Sequence, residues 1–139
     1  MATVIRPEIS TRNKYWIDKH RHYELKHFCL QYPMWKKEYE IMKNPEIKTS
    51  IINRLPTCNV HGDPTVTWFL KREFYRSRIE LIEKTAAEAD EFLYKYILKA
   101  VTEGLSYIYL KTNLEIPCGK DMFYDRYRKF FWLLHRARE

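Results

Sequence analysis

Trp68, Tyr75, Ile79, Ile82 and Ala86 recur at intervals of seven, four, three and four residues. Residues so spaced share one side of a helix, whereas a strand would need apolar side chains at every second position. The stripe follows the clearest start signal in the chain. Asp63 can cap a helix, and Pro64 suits a first turn, where its missing N–H costs nothing. The spacing therefore predicts a helix from Pro64 to about Ala89, with the stripe as core or as a coiled-coil dimer seam. Beyond it, either Asp90 caps a new helix or the same helix continues, bent, through Phe92, Ile97 and Val101. Gly104 ends the segment in both cases, as glycine does just past a helix end.

The remaining segments read as helices too. Lys14 to Tyr32 holds no Gly or Pro and should be helical, stopping before Pro33 because a proline disfavours helical geometry in the residue before it. Met34 to Lys43 is a second, short helix. Ser106 caps a third short helix through Asn113, residues 113–119 form a turn around Pro117 and Gly119, and Lys120 to Arg138 is the last helix. Residues 1–13 form a mobile arm. Residues 44–63, with Pro45, Pro56 and Gly62, form a linker, a binding loop or partly hidden structure. The expected fold is all-α, a helical bundle with a C-terminal helix-turn-helix. It divides into a helical segment and linker loop at 1–63 and a helical core at 64–139, with the helix-turn-helix at 103–139.

Composition removes several function classes. Three glycines among 139 residues argue against loop-rich barrels and a glycine-cradled nucleotide site. Four Trp, eleven Tyr and seven Phe supply a core and exclude a wholly disordered tail. No apolar run reaches the roughly 20 residues of a membrane span, and Met1 to Ile9 lacks the apolar stretch of a signal peptide, so no membrane partner and a cytoplasmic place in a bacterial host are expected. Cys29, Cys58 and Cys118 are an odd set that fits reduced thiols. Lys and Arg total 25 against 18 Asp and Glu. The middle, 64–104, is neutral with seven of each sign, so the surplus lies at the two ends. A basic surplus suits an acidic partner such as nucleic acid.

A short helix, a tight turn and a basic last helix suggest a helix-turn-helix. Such a unit needs the middle helix to dock by apolar residues, here Tyr107, Leu110 and Leu114, with Ile116 as an inward plug in the turn. It needs a last helix apolar on one side and polar on the other. At 100° per residue, Phe123, Tyr127, Phe130, Phe131 and Leu134 cluster on one side. Asp121, Asp125, Arg128, Lys129 and Arg136 fall opposite, with Lys120 and Tyr124 at the flank. Trp132 also projects on the polar side, where the N-terminal helices or a partner subunit would cover it.

Glu103-Gly104-Leu105-Ser106-Tyr107 followed by Ile116-Pro117-Cys118-Gly119 is similar to the E-G-L-S-Y…I-P-x-G/S pattern of sigma-factor region 4-type helix-turn-helices. With its aromatic last helix (Met122-Phe123-Tyr124 and Phe130-Phe131-Trp132-Leu133), the stretch 103–139 resembles more closely small phage regulators of the ArpU/RinA late-transcription kind. The resemblance implies DNA binding by the last helix and control of phage genes. Ser106, Lys120, Asp121, Tyr124, Asp125, Arg128 and Lys129 would then be the DNA-contacting residues. Three features depart from the pattern: Glu115 where such turns commonly have Gly, Lys111 where a small residue is usual, and the acidic Asp121 and Asp125 on the reading face. Carboxylates repel phosphates but accept from cytosine amino groups.

Other constellations carry less. His20, Glu24 and His27 share a helix face near Cys29, and Cys58-Asn59-Val60-His61 could add ligands. With Trp16, Tyr23 and Leu30 on the same face, partly buried histidines are the simpler account, and no metal or other cofactor is expected. No nucleophile motif surrounds any cysteine, although a helix start could lower the Cys118 pKa; the chain does not read as an enzyme. Lys14-Tyr15-Trp16, Lys19, Arg21, Lys26 and Trp35-Lys36-Lys37 could stack on or clasp nucleic acid, but packing against the central helix is the expected use. The expected function is thus a phage- or prophage-type transcription regulator that binds double-stranded DNA, touches RNA polymerase or assembles as a homodimer. The alternative is a protein-binding, phage-like inhibitor of a host nucleic-acid-binding or defence protein; a terminase small-subunit-like packaging factor is a third reading.

Overall fold

In a computed structural model of the chain, residues 13–43 and 64–139 are described. They form six helices and no strand: α1 (Lys19–Leu30), α2 (Tyr32–Met42), α3 (Pro64–Ala89), α4 (Tyr94–Glu103), α5 (Tyr107–Asn113) and α6 (Lys120–Ala137). The protein is all-α, as the periodicity predicts, and no described helix is long and apolar enough to cross a membrane. Residues 1–12 of the expected arm at 1–13, the 44–63 connection, the Asp63 cap and the Cys58–His61 ligands lie outside the described residues, while Asn13 belongs to a hydrogen-bonded turn rather than to a mobile arm.

Capping chemistry sets the boundaries and corrects several of them. α1 starts at Lys19 rather than Lys14 because the Asp18 carboxylate accepts from the His20 N–H at 3.0 Å, the usual work of an N-cap aspartate. Ahead of it, Trp16 N–H donates to the Asn13 carbonyl at 3.0 Å, closing a turn. Pro33 does not separate the first two helices as expected; it sits in the first turn of α2, where a missing N–H is harmless. Between α3 and α4 the choice falls to a new start. Asp90 Oδ1 accepts from the N–H groups of Phe92 and Leu93 at 2.8 and 2.9 Å, so α3 stops at Ala89. α4 ends as predicted at Gly104, whose φ of 70° lies in the left-handed region. The N–H groups of Gly104 and Leu105 both turn back to the Ala100 carbonyl, as such C-caps do.

Two compact units result, Met1–Gln31 with Leu81–Glu139, and Tyr32–Glu80. In the second, Tyr32, Trp35, Met42, Trp68 and Ile79 are buried. The Arg72 guanidinium lies over the rings of Trp68 and Tyr39 at 5.5 and 5.8 Å, a stacked cation of the kind aromatic faces attract. In the first unit α1 packs on α4 and α6, and α4 packs on α5 and α6. The expected packing of the N-terminal aromatic-basic stretch is thus shared out, α1 lying on α4 and α6 while α2 meets the central helix where Arg72 covers Tyr39. Phe123, Phe130, Phe131 and Leu134 of α6 are at most 1% exposed, with Leu25, Cys29, Ile82, Ile97 and Leu110 around the same core. The predicted stripe residues Trp68, Ile79, Ile82 and Ala86 are all buried, and Tyr75 is half-buried. Buried Thr85 and Thr102 return their hydroxyls to the Leu81 and Leu98 carbonyls at 2.6 Å, so neither leaves an unsatisfied donor in the core.

Asp90 also receives Arg126 Nε of α6 at 3.0 Å on its second oxygen. Burial pushes the carboxyl up, but the Leu93 N–H, the Arg126 guanidinium and the Phe92 N–H together outweigh it and hold Asp90 below its ordinary value. A depressed carboxyl stabilises the fold above the unfolded-state pKa and loses that contribution as pH falls through the lower folded-state value. Leu93, not Asp90, is the N-cap of α4, and Asp90 closes the turn ahead of it. Asp90→Ala, which removes two backbone bonds and the Arg126 pair, should therefore cost about 1–2 kcal/mol at neutral pH. Chemical denaturation at pH 7 and again below pH 3 checks this: the gap between variant and wild type should close in acid, and an equal gap at both pH values would refute the role given to the charge.

Candidate nucleic-acid interface

The C-terminal helix, turn and helix are assembled from local bonds that the residue types dictate. Ser106 Oγ accepts from the Tyr109 N–H at 3.2 Å and so starts α5. α5 docks by Leu110, fully buried, with Tyr107 and Leu114 half-buried beside it, and Ile116 plugs inward at 1% exposure. Glu115 takes a φ of 52° in the left-handed region, at the position where the resembling turns commonly have glycine. The Ile116 N–H then returns to the Leu110 carbonyl at 3.2 Å. Tyr107 fastens the far end of the turn by donating its hydroxyl to the Cys118 carbonyl at 2.7 Å, its ring 5.6 Å from Phe123. Lys111 is exposed.

α6 leaves this turn with its aromatic side inward, as predicted. Lys120, Asp121 and Met122 of its first turn are exposed, and Tyr124, Asp125, Arg128 and Lys129 are half-buried. The Lys120 ammonium lies over the Tyr124 ring at 5.7 Å, and Tyr124 meets Tyr107 at 6.3 Å. Asp121 sits in the first turn, where a negative charge favours the helix dipole. Asp125 pairs with Arg126 at 2.8 Å, so the second of the two worrying carboxylates is already matched. Arg128 and Lys129 form no ion pair among the described residues. Six of the seven expected contact residues thus share α6, while Ser106 lies on the preceding element with its oxygen engaged as a cap.

The C-terminal half of the helix is used internally. Tyr15 packs on Trp132 with ring centroids 5.6 Å apart, and Arg136 covers the same ring at 4.8 Å; the N-terminal segment is the cover expected for this tryptophan. Arg21 Nε donates to His135 Nδ1 at 2.9 Å, and its terminal nitrogen reaches the carbonyls of His135 and Arg138 at 3.5 Å. A cation there suits the negative end of the α6 dipole. Glu24 completes the cluster at 2.8 Å from Arg21 and 3.8 Å from Arg138. The other ring nitrogen of His135, Nε2, faces Glu139 at 3.2 Å. Arg21, Tyr15 and Arg126 were not singled out for these roles. Arg21 and His135 stand 114 residues apart, so no local spacing could have joined them.

The remaining candidates disperse. His20 and His27 are exposed, not partly buried as expected; the buried histidine is His22, edge-on to Phe131 at 4.7 Å. Glu24 is occupied by arginines, and among the described residues no three His, Cys, Asp or Glu side chains gather as metal ligands. Burial pushes the Cys29 thiol far up. Burial and the Asp90 charge raise Cys118 as well, overruling the lowering expected from the neighbouring helix start, and neither is an activated thiol.

Compared with known proteins, the chain matches no family model, no curated protein and no solved structure.

The left-handed Glu115 generates a test. A side chain with a Cβ is strained there, and glycine is not. Glu115→Gly should stabilise the protein by about 0.5–1 kcal/mol in urea unfolding, while Glu115→Ala, which keeps the Cβ, should stay close to wild type. A glycine variant less stable than the alanine variant would contradict the assigned conformation.

Proposed function

We propose that the chain binds double-stranded DNA through α6 and acts as a transcription regulator of the phage or prophage kind. The observation that carries this reading is the division of α6: its aromatic side is wholly buried, while its first turn leaves Lys120, Asp121 and Met122 in solvent beside Tyr124. Groove-reading helices work by that end, with their N-terminal residues at the base edges. Lys120, Arg128 and Lys129 fix register on phosphates, and Arg128 meets base edges through its terminal nitrogens, its Nε being buried, while the Tyr124 ring, whose hydroxyl is buried too, backs Lys120. Arg126, Arg21 and Arg138 are committed to internal pairs and take no part. Asp121 accepts from a cytosine amino group. Ser106 holds the preceding helix in place and touches a phosphate only through its hydroxyl proton. The basic protein works inside a bacterial host cell, with RNA polymerase or a second copy as further partners.

Exposed apolar side chains on the same two elements support a second reading. Ile108, Tyr109 and Met122 are 56, 46 and 47% exposed, which suits a protein contact better than a groove. On that reading the chain masks a host nucleic-acid-binding or defence protein.

Mobility shifts on duplex DNA separate the two. Lys120→Ala and Arg128→Ala should each weaken duplex binding by about fivefold to twentyfold with unchanged helicity. Each should also reduce the salt dependence by about one phosphate. Absence of duplex binding at about 50 mM salt, where phosphate-driven association is strong, sinks the DNA reading.

A further inference from the structure

A second surface runs along α1. His20, Tyr23, His27 and Leu30, spaced three, four and three residues apart, form one exposed stripe along α1. It is set against the buried Leu25 and Cys29 on the helix's other side. Trp16 stands in the turn just before α1, and Trp16 and Tyr23 are each 39% exposed. Trp16 is displayed by a built turn. Its own N–H is bonded to the Asn13 carbonyl, and the Tyr15 N–H is bonded to Asn13 Oδ1 at 2.9 Å. Its neighbours are anchored, Tyr15 on Trp132 at 5.6 Å and Ile17 in the core at 5% exposure. An aromatic held this way meets a ligand without a large ordering cost.

The charge around the stripe is mostly positive. Lys14, Lys19 and Lys26 have no carboxylate partner among the described residues. The two acidic groups of the segment are both occupied: Asp18 caps α1, and Glu24 is held by Arg21 and Arg138. We infer that the exposed stripe of α1, with Trp16 ahead of it, binds single-stranded nucleic acid, bases stacking on Trp16 and Tyr23 while Lys14, Lys19 and Lys26 follow the backbone. Partly exposed aromatic rings suit unstacked bases, whose faces a duplex hides, and lysines without carboxylate partners alongside them, Lys14 resting over the Tyr15 ring at 4.9 Å, complete the combination that single-strand binders use. This surface stands independently of the duplex reading of α6 and is tested separately.

The experiment is fluorescence anisotropy of the full chain with labelled oligo-dT and oligo-U of about 20 nucleotides, longer than one small domain occupies. A duplex of the same length is titrated beside them. Both single strands should bind at about 50 mM salt; tighter binding of oligo-U than oligo-dT assigns the site to RNA, and the reverse to DNA. Trp16→Ala with Tyr23→Ala should weaken single-strand binding at least tenfold, and Trp16→Phe should retain most of it. Lys19→Gln with Lys26→Gln should flatten its salt dependence by roughly 1.4 in slope, two contacts at about 0.7 each. Lys120→Ala should leave it unchanged while weakening duplex binding. The inference is overturned if neither single strand binds or if the Trp16/Tyr23 double variant binds them normally. It is overturned too if Trp16→Leu with Tyr23→Leu restores full affinity, since that outcome marks a greasy contact for a protein.

Discussion

The first unit depends on one act of burial. Phe123, Phe130, Phe131 and Leu134 are almost completely removed from water, with Tyr127 at 8% exposure, and each such side chain contributes about 1.5–3 kcal/mol. Four of these five are aromatic, so they also hold one another through ring contacts. Tyr127 meets Phe131 edge-on at 4.9 Å, and Phe130 meets Phe131 at 5.1 Å, geometries worth more than their area. With that side inward, the rotation of the helix is settled, and everything opposite it follows.

Ion pairing then sorts the cations. Arg126 is drawn to Asp90 and Asp125, and Arg21 and Arg138 close over the end of α6 with Glu24 and His135. These side chains tie α6 to α1 and to the α3–α4 junction. Lys120, Arg128 and Lys129 remain without carboxylates among the described residues. A net charge of +7 therefore divides into a structural part and a part open to a partner, a division that counting charges does not give. The half-covered C-terminal end and the open first turn of α6 have the same origin, since Tyr15 and Arg21 reach only the later turns.

Much of the fold was legible because its signals are local. Periodicity at Trp68–Ala86, the αL glycine at 104, the serine cap at 106 and the amphipathic last helix each need only a few neighbouring residues, and each lies where expected. The misplacements were local as well. Asp18 outcompetes the helical pattern from Lys14 to Ile17 by offering its carboxylate to the His20 N–H, and Pro33, which can stop a helix, serves equally well in the first turn of α2. At the candidate interface, side-chain type and spacing put Arg128 on the polar side of α6 with Lys120 and Tyr124 at its flank, and of these Lys120 is exposed while Tyr124 and Arg128 are half-buried. Its Asp125–Arg126 and Lys120–Tyr124 pairings became visible only with side-chain positions.

By itself, the sequence determined that this chain is helical, that Gly104 ends one helix and Ser106 starts the next, and which side of the last helix avoids water, because those depend on backbone hydrogen bonding and on apolar spacing within a few turns. Tertiary structure alone decided which charges are consumed. It set Arg21 against His135 across 114 residues, put Tyr15 over Trp132, and turned His22 inward while His20 and His27 face out. Such choices depend on which distant elements meet, and the energy of a contact between them is written nowhere in either segment taken separately.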